Sequence, residues 1–215
     1  MVAGGSGHRF GGMKQFHDLC GRPVVSWSVA AARAASEGAV LVVPPEGTPG
    51  NRESQDTAGF GADIVVVGGA TRAASVRAGL DAVPDEAAII VVHDAVRPLA
   101  EAALFAAVID AVRSGRAAGA IPTLPVSDTV KRVEGDLVTS TVDRDGMVTV
   151  QTPQAFDAST LRLAHRDGVD ATDDAGLLER VGASVCTVPG DPRNMKVTRP
   201  EDLSLAALLL RARPA

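Results

Sequence analysis

The chain reads IIVVHDAVRP from Ile89 to Pro98: four β-branched residues followed at once by polar and ionisable ones. A Val/Ile run without polar alternation is typical of a strand that is covered on both faces of its sheet. In open parallel sheets, ligands bind at the carboxyl ends of the strands. Asp94 and Arg97 follow this strand directly and are therefore candidate site residues, whereas His93 is expected to serve packing.

Similar apolar runs alternate with Ala-rich stretches along the chain. The predicted strands are Val40–Val43, Ile64–Val67, Ile89–Val92 and 185–188. The predicted helices are, approximately, 24–36, 72–82, 101–113, 159–165, 173–181 and 201–211, the last with a capping-box spacing from Thr198 to Glu201. This alternation predicts an α/β fold with right-handed crossovers and a mainly parallel sheet.

Composition excludes several classes of function. The 215 residues carry a formal net charge of −5 and include five Phe, one Trp and no Tyr. The acidic balance argues against a nucleic-acid surface, and the lack of aromatics argues against base-stacking platforms. Cys20 and Cys186 form neither a disulfide framework nor a zinc motif. Neither a membrane helix nor a signal segment is visible in the sequence, so a cytoplasmic location is expected.

The segment 123–150 interrupts the alternation. It reads as two short strands, 129–133 and Leu137–Val142, joined by Glu134-Gly135-Asp136 and followed by a turn at 143–146. An isolated hairpin with so few large apolar residues is marginally stable. We therefore expect this arm to lean on the main domain or on a second subunit, and the chain 1–215 to be otherwise a single domain.

A glycine-rich loop lies near the start of the chain. Residues 3–15 read AGGSGHRFGGMKQ, in which His8, Arg9 and Lys14 are potentially cationic. Glycines let backbone N–H groups approach phosphate oxygens closely, so a polyphosphate site is expected. The glycine spacing fits neither the dinucleotide-binding fingerprint nor the P-loop.

Seven motifs, in chain order, resemble those of the sugar-phosphate cytidylyltransferases, particularly the 2-C-methyl-D-erythritol 4-phosphate cytidylyltransferase family of isoprenoid biosynthesis. They are the loop G-x-G-x-R with Lys14-Gln15, GGATR at 68–72 with Ser75, HDAVRP at 93–98, DTVK at 128–131, QTPQ at 151–154, TDDA at 172–175 and KVTRPEDL at 196–203. The resemblance implies a Rossmann-like nucleotidyltransferase fold, a three-layer sandwich with a mainly parallel sheet and a protruding β-hairpin arm.

The resemblance also implies a reaction, the transfer of a cytidylyl group from CTP to a polyol phosphate with release of pyrophosphate. The attacking phosphate oxygen is already ionised near neutral pH, because the second pKa of a phosphomonoester is about 6, and no general base is needed. The enzyme must supply positive charge and position. The residues at the family's catalytic positions are Arg9, Lys14, Arg144 and Lys196. Mg²⁺ is expected on the triphosphate, with Asp94 as its protein neighbour and other ligands left open.

The binding residues follow from the same resemblance. Those expected to bind the nucleotide are Ala3, Gly4, Gly5, Ser6, Gly7, Gly69, Arg72, Ser75, Asp94 and Ala95. Those expected to bind the polyol phosphate are Arg97, Thr129, Thr152 and Thr172. In the family the arm reaches into the partner of a homodimer, so that Thr129 and Arg144 would complete the neighbour's site.

Three departures from the family pattern keep alternatives open. Only two residues precede Ala3, where the family has a longer central strand, so the strand is either truncated or stunted. The segment between Arg9 and Lys14 is short, with Met13 where Pro is common. Val96 replaces a more usual Ala, as in the related ribitol 5-phosphate cytidylyltransferases. Ribitol 5-phosphate is thus an alternative acceptor, although the 143–146 and 172–175 segments favour methylerythritol phosphate, and a non-catalytic nucleotide-binding relative is a further alternative.

Overall fold

The computed structural model describes residues 1–4, 10, 12–45, 60–171 and 173–213. The helices in this part of the chain are α1 Val24–Arg33, α2 Arg72–Asp81, α3 Ala102–Arg113, α4 Ala158–His165, α5 Asp174–Arg180 and α6 Pro200–Arg211, and Lys14–Phe16 form a 3₁₀ turn. The strands are β1 Asp18–Leu19, β2 Arg22–Pro23, β3 Val40–Val43, β4 Ile64–Val67, β5 Ile89–Val92, β6 Gly119–Pro125, β7 Val130–Glu134, β8 Leu137–Val142, β9 Val148–Val150, β10 Gln154–Asp157 and β11 Val185–Pro189.

The main sheet is mixed, but most of its strands run in the same direction. β10 is antiparallel to both β5 and β6, whereas β6 pairs with β11 in parallel. β3 and β4 form a parallel pair, which Val2 joins to β5 through parallel bridges to Val42 and Asp94. Therefore β3, β4, β5, β6 and β11 point one way, as the alternation of strands and helices predicted, and β10 opposes them.

Val2 occupies the centre of the sheet almost alone. Its N–H donates to His93 O at 2.8 Å, and the Ala3 N–H donates to Val42 O at 2.8 Å. Beyond this short link, β3 and β5 are separated by a cavity of about 900 Å³ whose lining includes Val40, Ile64 and Phe105. The sheet is thus continuous at the end where β3 and β5 finish, which is the end that bears the candidate site.

Helices cover both faces of the sheet because alternate residues of β5 point to opposite sides. Ile90 and Val92 pack with residues of α2, α4 and α5. Ile89 and Val91 pack instead with buried residues of α3. This alternation produces the three-layer α/β/α sandwich that the family resemblance implied. None of the described helices is long and apolar enough to span a membrane.

The hairpin arm consists of β7 and β8, which pair with each other in an antiparallel register. Its turn contains Gly135 at φ 58°, a backbone conformation that favours glycine. Most residues of both strands are exposed, including Val133, Leu137 and Val138. The ends of the predicted arm belong to the main sheet, because β9 pairs with β6 from Thr123↔Val150 to Pro125↔Val148.

The start of α6 differs in detail from the predicted capping box. Arg199 is the N-cap residue, and Asp202 rather than Glu201 supplies the capping carboxylate. Asp202 Oδ2 accepts hydrogen bonds from Thr198 N–H at 2.7 Å, the Thr198 hydroxyl at 2.8 Å and Arg199 N–H at 2.8 Å. The prediction was displaced by one residue because Pro200, which has no N–H, occupies the first helical position.

Candidate active site

The first residues of the chain meet the carboxyl ends of β3, β4 and β5 at one edge of the sheet. The Ala95 N–H donates to Val2 O at 3.0 Å. Gly4 lies so close to α2 that a Cβ on it would be 2.9 Å from Ser75 Oγ. Of the residues expected to bind the nucleotide, this edge brings together Ala3, Gly4, Gly69, Arg72, Ser75, Asp94 and Ala95.

Gly69 and Ser75 stabilise the connection between β4 and α2 through close packing and hydrogen bonds. A Cβ on Gly69 would lie 2.5 Å from Ala74 Cβ, so only glycine fits there. The buried Ser75 hydroxyl lies 3.0 Å from Thr71 O and 3.3 Å from Gly69 O. Thr71 caps α2 by accepting a hydrogen bond from Ala74 N–H at 3.1 Å. These contacts fix the direction in which Arg72, the first residue of α2, leaves the backbone.

Asp94 is the centre of a charged cluster. Its Oδ2 lies 2.6 Å from Lys196 Nζ, and its Oδ1 lies 3.6 Å from Arg72 Nε. Burial alone would raise the pKa of the Asp94 carboxyl, but the cations of Lys196 and Arg72 outweigh it and lower the pKa to about 2. Asp94 is therefore an anion at neutral pH and orients two cations at the edge of the sheet.

The charged cluster continues from Arg72 into the helical layer. The second carboxylate on Arg72 is Asp174, whose Oδ2 lies 2.9 Å from an Arg72 Nη atom. Asp174 Oδ1 lies 3.0 Å from His165 Nε2, and both side chains are almost fully buried. Sequence reasoning quoted Asp174 only within the TDDA motif and missed His165, because no motif or periodicity marks a histidine at the end of α4.

Thr152 and His93 hold the backbone of Asp94 in place through hydrogen bonds. The Asp94 N–H donates to Thr152 Oγ1 at 3.0 Å, and Thr152 Oγ1 lies 3.0 Å from His93 Nδ1. The other ring nitrogen, Nε2, faces Arg97 O at 3.3 Å. A carbonyl can only accept, so Nε2 carries the hydrogen of the neutral ring and the Thr152 hydroxyl donates to Nδ1. The imidazole is fully buried against Phe105, which agrees with the packing role expected of it. Burial dominates and lowers the pKa of His93 to about 3.

Arg97, expected at the polyol phosphate, is held by the backbone of another segment. One of its Nη atoms donates to Asn194 O at 2.8 Å. Its Nε is buried and has no hydrogen-bond partner among the described residues. Burial, which outweighs the attraction of Asp94, lowers the pKa of Arg97. A buried donor of this kind calls for an acceptor, and the described residues do not supply one.

Several predicted site residues lie elsewhere or outside the described residues. Lys14 begins the 3₁₀ turn next to Gln15, whose Nε2 donates to Ala3 O at 2.7 Å. Arg144 donates to the carbonyls of Val126 and Ser127 within the arm, and the exposed Thr129 immediately precedes β7. Arg144 and Thr129 therefore belong to the arm and make no contact with the Asp94 cluster of the same chain among the described contacts. The expected site residues outside the described part are Gly5, Ser6, Gly7, Arg9 and Thr172.

A divalent cation would find few protein ligands here. No group of three or more His, Cys, Asp or Glu side chains suited to a metal occurs among the described residues. The Asp94 carboxylate stands at the site but already contacts two cations. This arrangement fits a cation held chiefly by the phosphate oxygens of a nucleotide, and it does not fit a protein cage.

Comparison with known proteins identifies the family. The family model described as IspD, 2-C-methyl-D-erythritol 4-phosphate cytidylyltransferase, matches residues 1–212. The chain belongs to the 2-C-methyl-D-erythritol 4-phosphate cytidylyltransferase family. Curated members include the enzymes of that name from Nocardia farcinica, 45% identical over 99% of this chain and 93% of the relative, and Streptomyces coelicolor, 44% identical over 98% and 83%.

Other members of this cytidylyltransferase family differ in length or have solved structures. The chain is 47% identical to the bifunctional enzyme IspD/IspF of Solidesulfovibrio magneticus, but spans only 55% of that protein. The crystal structure of the family enzyme from Thermus thermophilus matches with a TM-score of 0.81 at 35% identity, covering 98% of this chain and 97% of the other. The structure of the synthase from Anaerococcus prevotii also gives 0.81, at 28% identity, over 98% and 95%.

Proposed function

We propose that the protein transfers the cytidylyl group of CTP to 2-C-methyl-D-erythritol 4-phosphate and releases pyrophosphate. Its relatives from Nocardia farcinica and Streptomyces coelicolor are named 2-C-methyl-D-erythritol 4-phosphate cytidylyltransferases. The observation that carries the proposal is the placement of Lys196 and Arg72 around Asp94, at the sheet edge that Gly4 reaches. Cations gathered at strand ends beside a glycine loop suit two phosphate-bearing substrates.

The reaction needs charge stabilisation more than proton transfer. An ionised oxygen of the acceptor phosphate attacks the α-phosphorus of CTP, a new P–O bond forms, and the bond between the α-phosphorus and the bridging oxygen breaks. Pyrophosphate leaves with the bonding electrons. Negative charge grows on the equatorial and leaving oxygens, where fixed cations are most effective. No side chain has to act as a base, which is consistent with the buried His93 serving only as support.

The roles divide by position along the sheet edge. Arg9 and Lys14, on either side of the glycine loop, stabilise the charge that develops on the triphosphate. Lys196 and Arg97 hold the acceptor phosphate, and the Nε of Arg97, which has no hydrogen-bond partner within the described part of the chain, is a donor suited to that anion. Further contacts come from the residues expected to bind the nucleotide, Ala3, Gly4, Gly5, Ser6, Gly7, Gly69, Arg72, Ser75, Asp94 and Ala95, and from Thr129 and Thr172 at the polyol phosphate. Thr152, also expected there, is buried with its hydroxyl engaged by Asp94 and His93, so its part is to support Asp94.

Mg²⁺ is the divalent cation that we infer for this reaction. It would be held by triphosphate oxygens and water, with the Asp94 carboxylate as its protein neighbour. When bound, it neutralises part of the phosphate charge. The protein's own contribution at that point is Asp94, which keeps Lys196 and Arg72 in place around the incoming nucleotide.

Val96 bears on the choice of acceptor. Its side chain is buried in the core with Leu19, Val24 and Leu99, and its carbonyl accepts a hydrogen bond from Val197 N–H at 2.8 Å. The residue that departs from the family pattern thus packs inside the protein, so it gives no reason to prefer ribitol 5-phosphate. Methylerythritol phosphate is the acceptor that we propose.

We also infer that two copies exchange their arms, with residues 123–150 as the dimerisation segment of an otherwise single domain. The apolar side chains of β7 and β8, Val133, Leu137 and Val138, are exposed and are not covered by any of the residues that the structure describes. Arg144 and Thr129 lie in or beside this arm, away from the Asp94 cluster. Exchange would deliver both to the partner's site and would bury the apolar residues.

Pyrophosphate release tests the reaction. Purified protein is supplied with CTP and Mg²⁺ together with either methylerythritol 4-phosphate or ribitol 5-phosphate. We expect release with the first acceptor and at least tenfold less with the second. Preference for ribitol phosphate would replace the proposed acceptor, and no release with either would leave a non-catalytic nucleotide-binding relative.

Subunit mixing tests the arm. Arg144→Ala and Lys14→Ala proteins are each expected to be inactive as homodimers, and mixing them is expected to restore activity through hybrids that keep one intact site. Subunit exchange is followed independently by mass difference between tagged and untagged chains. Exchange without recovery of activity would contradict the shared site.

A further inference from the structure

The ion-pair chain that begins at Asp94 does not end at Arg72. Arg72 is paired on its other side with Asp174, at the first residue of α5, and Asp174 contacts His165 at the last residue of α4. Positive and negative groups thus alternate from Lys196 through Asp94 and Arg72 to Asp174. The outer members stand at the sheet edge, and the inner ones lie inside the helical layer.

Burial of the Asp174 carboxylate costs free energy, which its partners must offset. Its side chain is only 1% exposed, so the carboxylate has lost nearly all contact with water. Removing a charge from water is compensated only when its partners are well placed. Asp174 Oδ1 lies 3.0 Å from His165 Nε2, and its Oδ2 lies 2.9 Å from an Arg72 Nη atom in an ion pair that lacks hydrogen-bond alignment. The carboxylate is therefore held on one side by the imidazole while it holds the guanidinium on the other.

His165 completes the support. Its Nε2 faces Asp174, whereas its Nδ1 is buried without a hydrogen-bond partner among the described residues. A buried N–H without an acceptor is more costly than a bare ring nitrogen, so the tautomer with hydrogen on Nε2 fits this site. His165 then donates to the carboxylate and fixes which oxygen remains for Arg72.

Of Arg72, Asp174 and His165, Arg72 is the residue that reaches the candidate site. Its side chain is 28% exposed, and its Nε approaches Asp94 at 3.6 Å. With one Nη atom 2.9 Å from Asp174 Oδ2 and its Nε 3.6 Å from Asp94 Oδ1, the guanidinium is held by charge between two carboxylates, and its other N–H groups are left for a ligand. A guanidinium prepared in this way binds an anion or a base edge without first losing side-chain entropy.

We propose that Asp174 and His165 are positioning residues that hold Arg72 in the orientation needed to bind CTP. The proposal deepens the proposed function, on which it rests for the identity of the nucleotide. It predicts an effect on CTP affinity that passes entirely through Arg72. A purely structural role for Asp174 would act whether or not Arg72 is present.

The test is a double-mutant cycle on CTP affinity, measured by titration calorimetry with CTP and Mg²⁺ and without the acceptor. Asp174→Asn is expected to weaken CTP binding about tenfold, because it removes the buried anion that faces Arg72. In an Arg72→Ala background the same substitution is expected to change affinity less than twofold. An equal loss in both backgrounds, or no loss in the first, would overturn the proposal.

His165 gives a second variant in case Asp174→Asn does not fold. His165→Gln keeps an N–H donor near the position of Nε2, and His165→Leu removes it. We expect near-normal CTP affinity for Gln and a loss of about five- to tenfold for Leu, with similar melting temperatures among the folded proteins. Equal affinities for Gln and Leu would overturn the role of His165.

Asp173→Asn is the matched control. Asp173 is the N-cap of α5 and accepts a hydrogen bond from Gly176 N–H at 3.1 Å, a contact that Asn can keep. This variant removes a carboxylate that neighbours Asp174 and attracts Arg72 more weakly than Asp174 and Asp94 do, so CTP affinity should change less than twofold. If Asp173→Asn weakens binding as much as Asp174→Asn, loss of charge alone explains the effect and the proposal fails.

Steady-state kinetics separate this inference from the proposed function. With turnover established for the wild type, Asp174→Asn should raise KM for CTP and leave kcat within about threefold, because positioning affects nucleotide binding first. A wild type that binds CTP without turnover would refute the proposed reaction while leaving the binding cycle readable. A kcat loss with unchanged KM would overturn the positioning role.

Discussion

Acid should destabilise this protein through the buried imidazole of His93, at pH values where the neighbouring Asp94 carboxylate is still ionised. His93 is fully buried, its Nδ1 accepts the Thr152 hydroxyl hydrogen, and its ring packs against Phe105 with centroids 4.9 Å apart. The folded protein therefore favours the neutral ring, and burial lowers the pKa of His93 to about 3. The unfolded chain has no such preference and protonates the same ring near its ordinary pKa.

The size of the effect follows from the two pKa values of His93. Below about pH 6.5 the unfolded chain binds a proton that the folded protein excludes, so stability falls with pH until the folded pKa is reached. Between pH 7.5 and pH 4.5 the difference amounts to about 3 kcal/mol of unfolding free energy. Burial opposes ionisation of Asp94, but Lys196 and Arg72 lower its pKa to about 2, so Asp94 stays ionised throughout this interval.

The assay compares urea unfolding of the wild type and His93→Asn at the two pH values. The Asn carbonyl can accept the Thr152 hydroxyl hydrogen but cannot be protonated in this range. The variant loses stability at pH 7.5 because a ring is missing beside Phe105, yet its further loss on going to pH 4.5 should be about 3 kcal/mol smaller than that of the wild type. Other titrating groups are common to both proteins and cancel.

Equal losses in the two proteins over this pH interval would refute the reasoning, because the imidazole would then titrate alike in the folded and unfolded states. NMR of the folded wild type gives an independent reading. The ring resonances of His93 should not move between pH 7.5 and pH 4.5. A midpoint near pH 6 would show that the site admits the charged ring.

Three further predictions address other parts of the same architecture. Lys196→Ala should raise the pKa of Asp94 and lower turnover at least a hundredfold, since it removes the closest cation from a buried carboxylate, and steady-state rates should recover partly in Lys196→Arg. Asp202→Ala should cost about 1–2 kcal/mol in urea unfolding, because three hydrogen bonds at the start of α6 are lost, whereas Glu201→Ala should be nearly neutral. Gly69→Ala should weaken CTP binding in calorimetry, because its Cβ would meet Ala74 Cβ at 2.5 Å and displace Arg72, whereas Gly38→Ala, with 3.6 Å to the nearest atom, should bind normally.

Of the strands that run in the same direction, the sequence predicted β3, β4, β5 and β11, because β-branched runs such as Val40–Val43 and Ile89–Val92 can be recognised locally. It missed β6 and β10. β6 reads GAIPTLP, in which glycine and two prolines suggest a loop. Gly119 is there because a Cβ would lie 2.9 Å from the Phe156 ring, a reason that exists only once β10 has paired beside it. Contacts between distant parts of the chain, and not local sequence preference, therefore determine that β6 and β10 form strands.

The site divides in the same way between local and tertiary information. Asp94 and Arg97 could be predicted because they follow a recognisable strand, and Lys196 because it stands in a motif. The link from Arg72 through Asp174 to His165 could not be predicted, since it joins α2, α5 and the end of α4 across the helical layer. Nor could the sequence reveal that the Thr152 hydroxyl is occupied by Asp94 and His93.

An acidic chain can still hold a triphosphate, because its cations are arranged before the substrate arrives. Lys196 uses one of its three donors on Asp94 and keeps a side chain that is 40% exposed, so the carboxylate orients the ammonium without removing it from the site. Asp94 and Asp174 likewise orient the Arg72 guanidinium without removing it from the site. A net charge of −5 therefore excludes a broad nucleic-acid surface and not a nucleotide pocket. The carboxylates that make the chain acidic are, at this edge of the sheet, what keeps its cations in position.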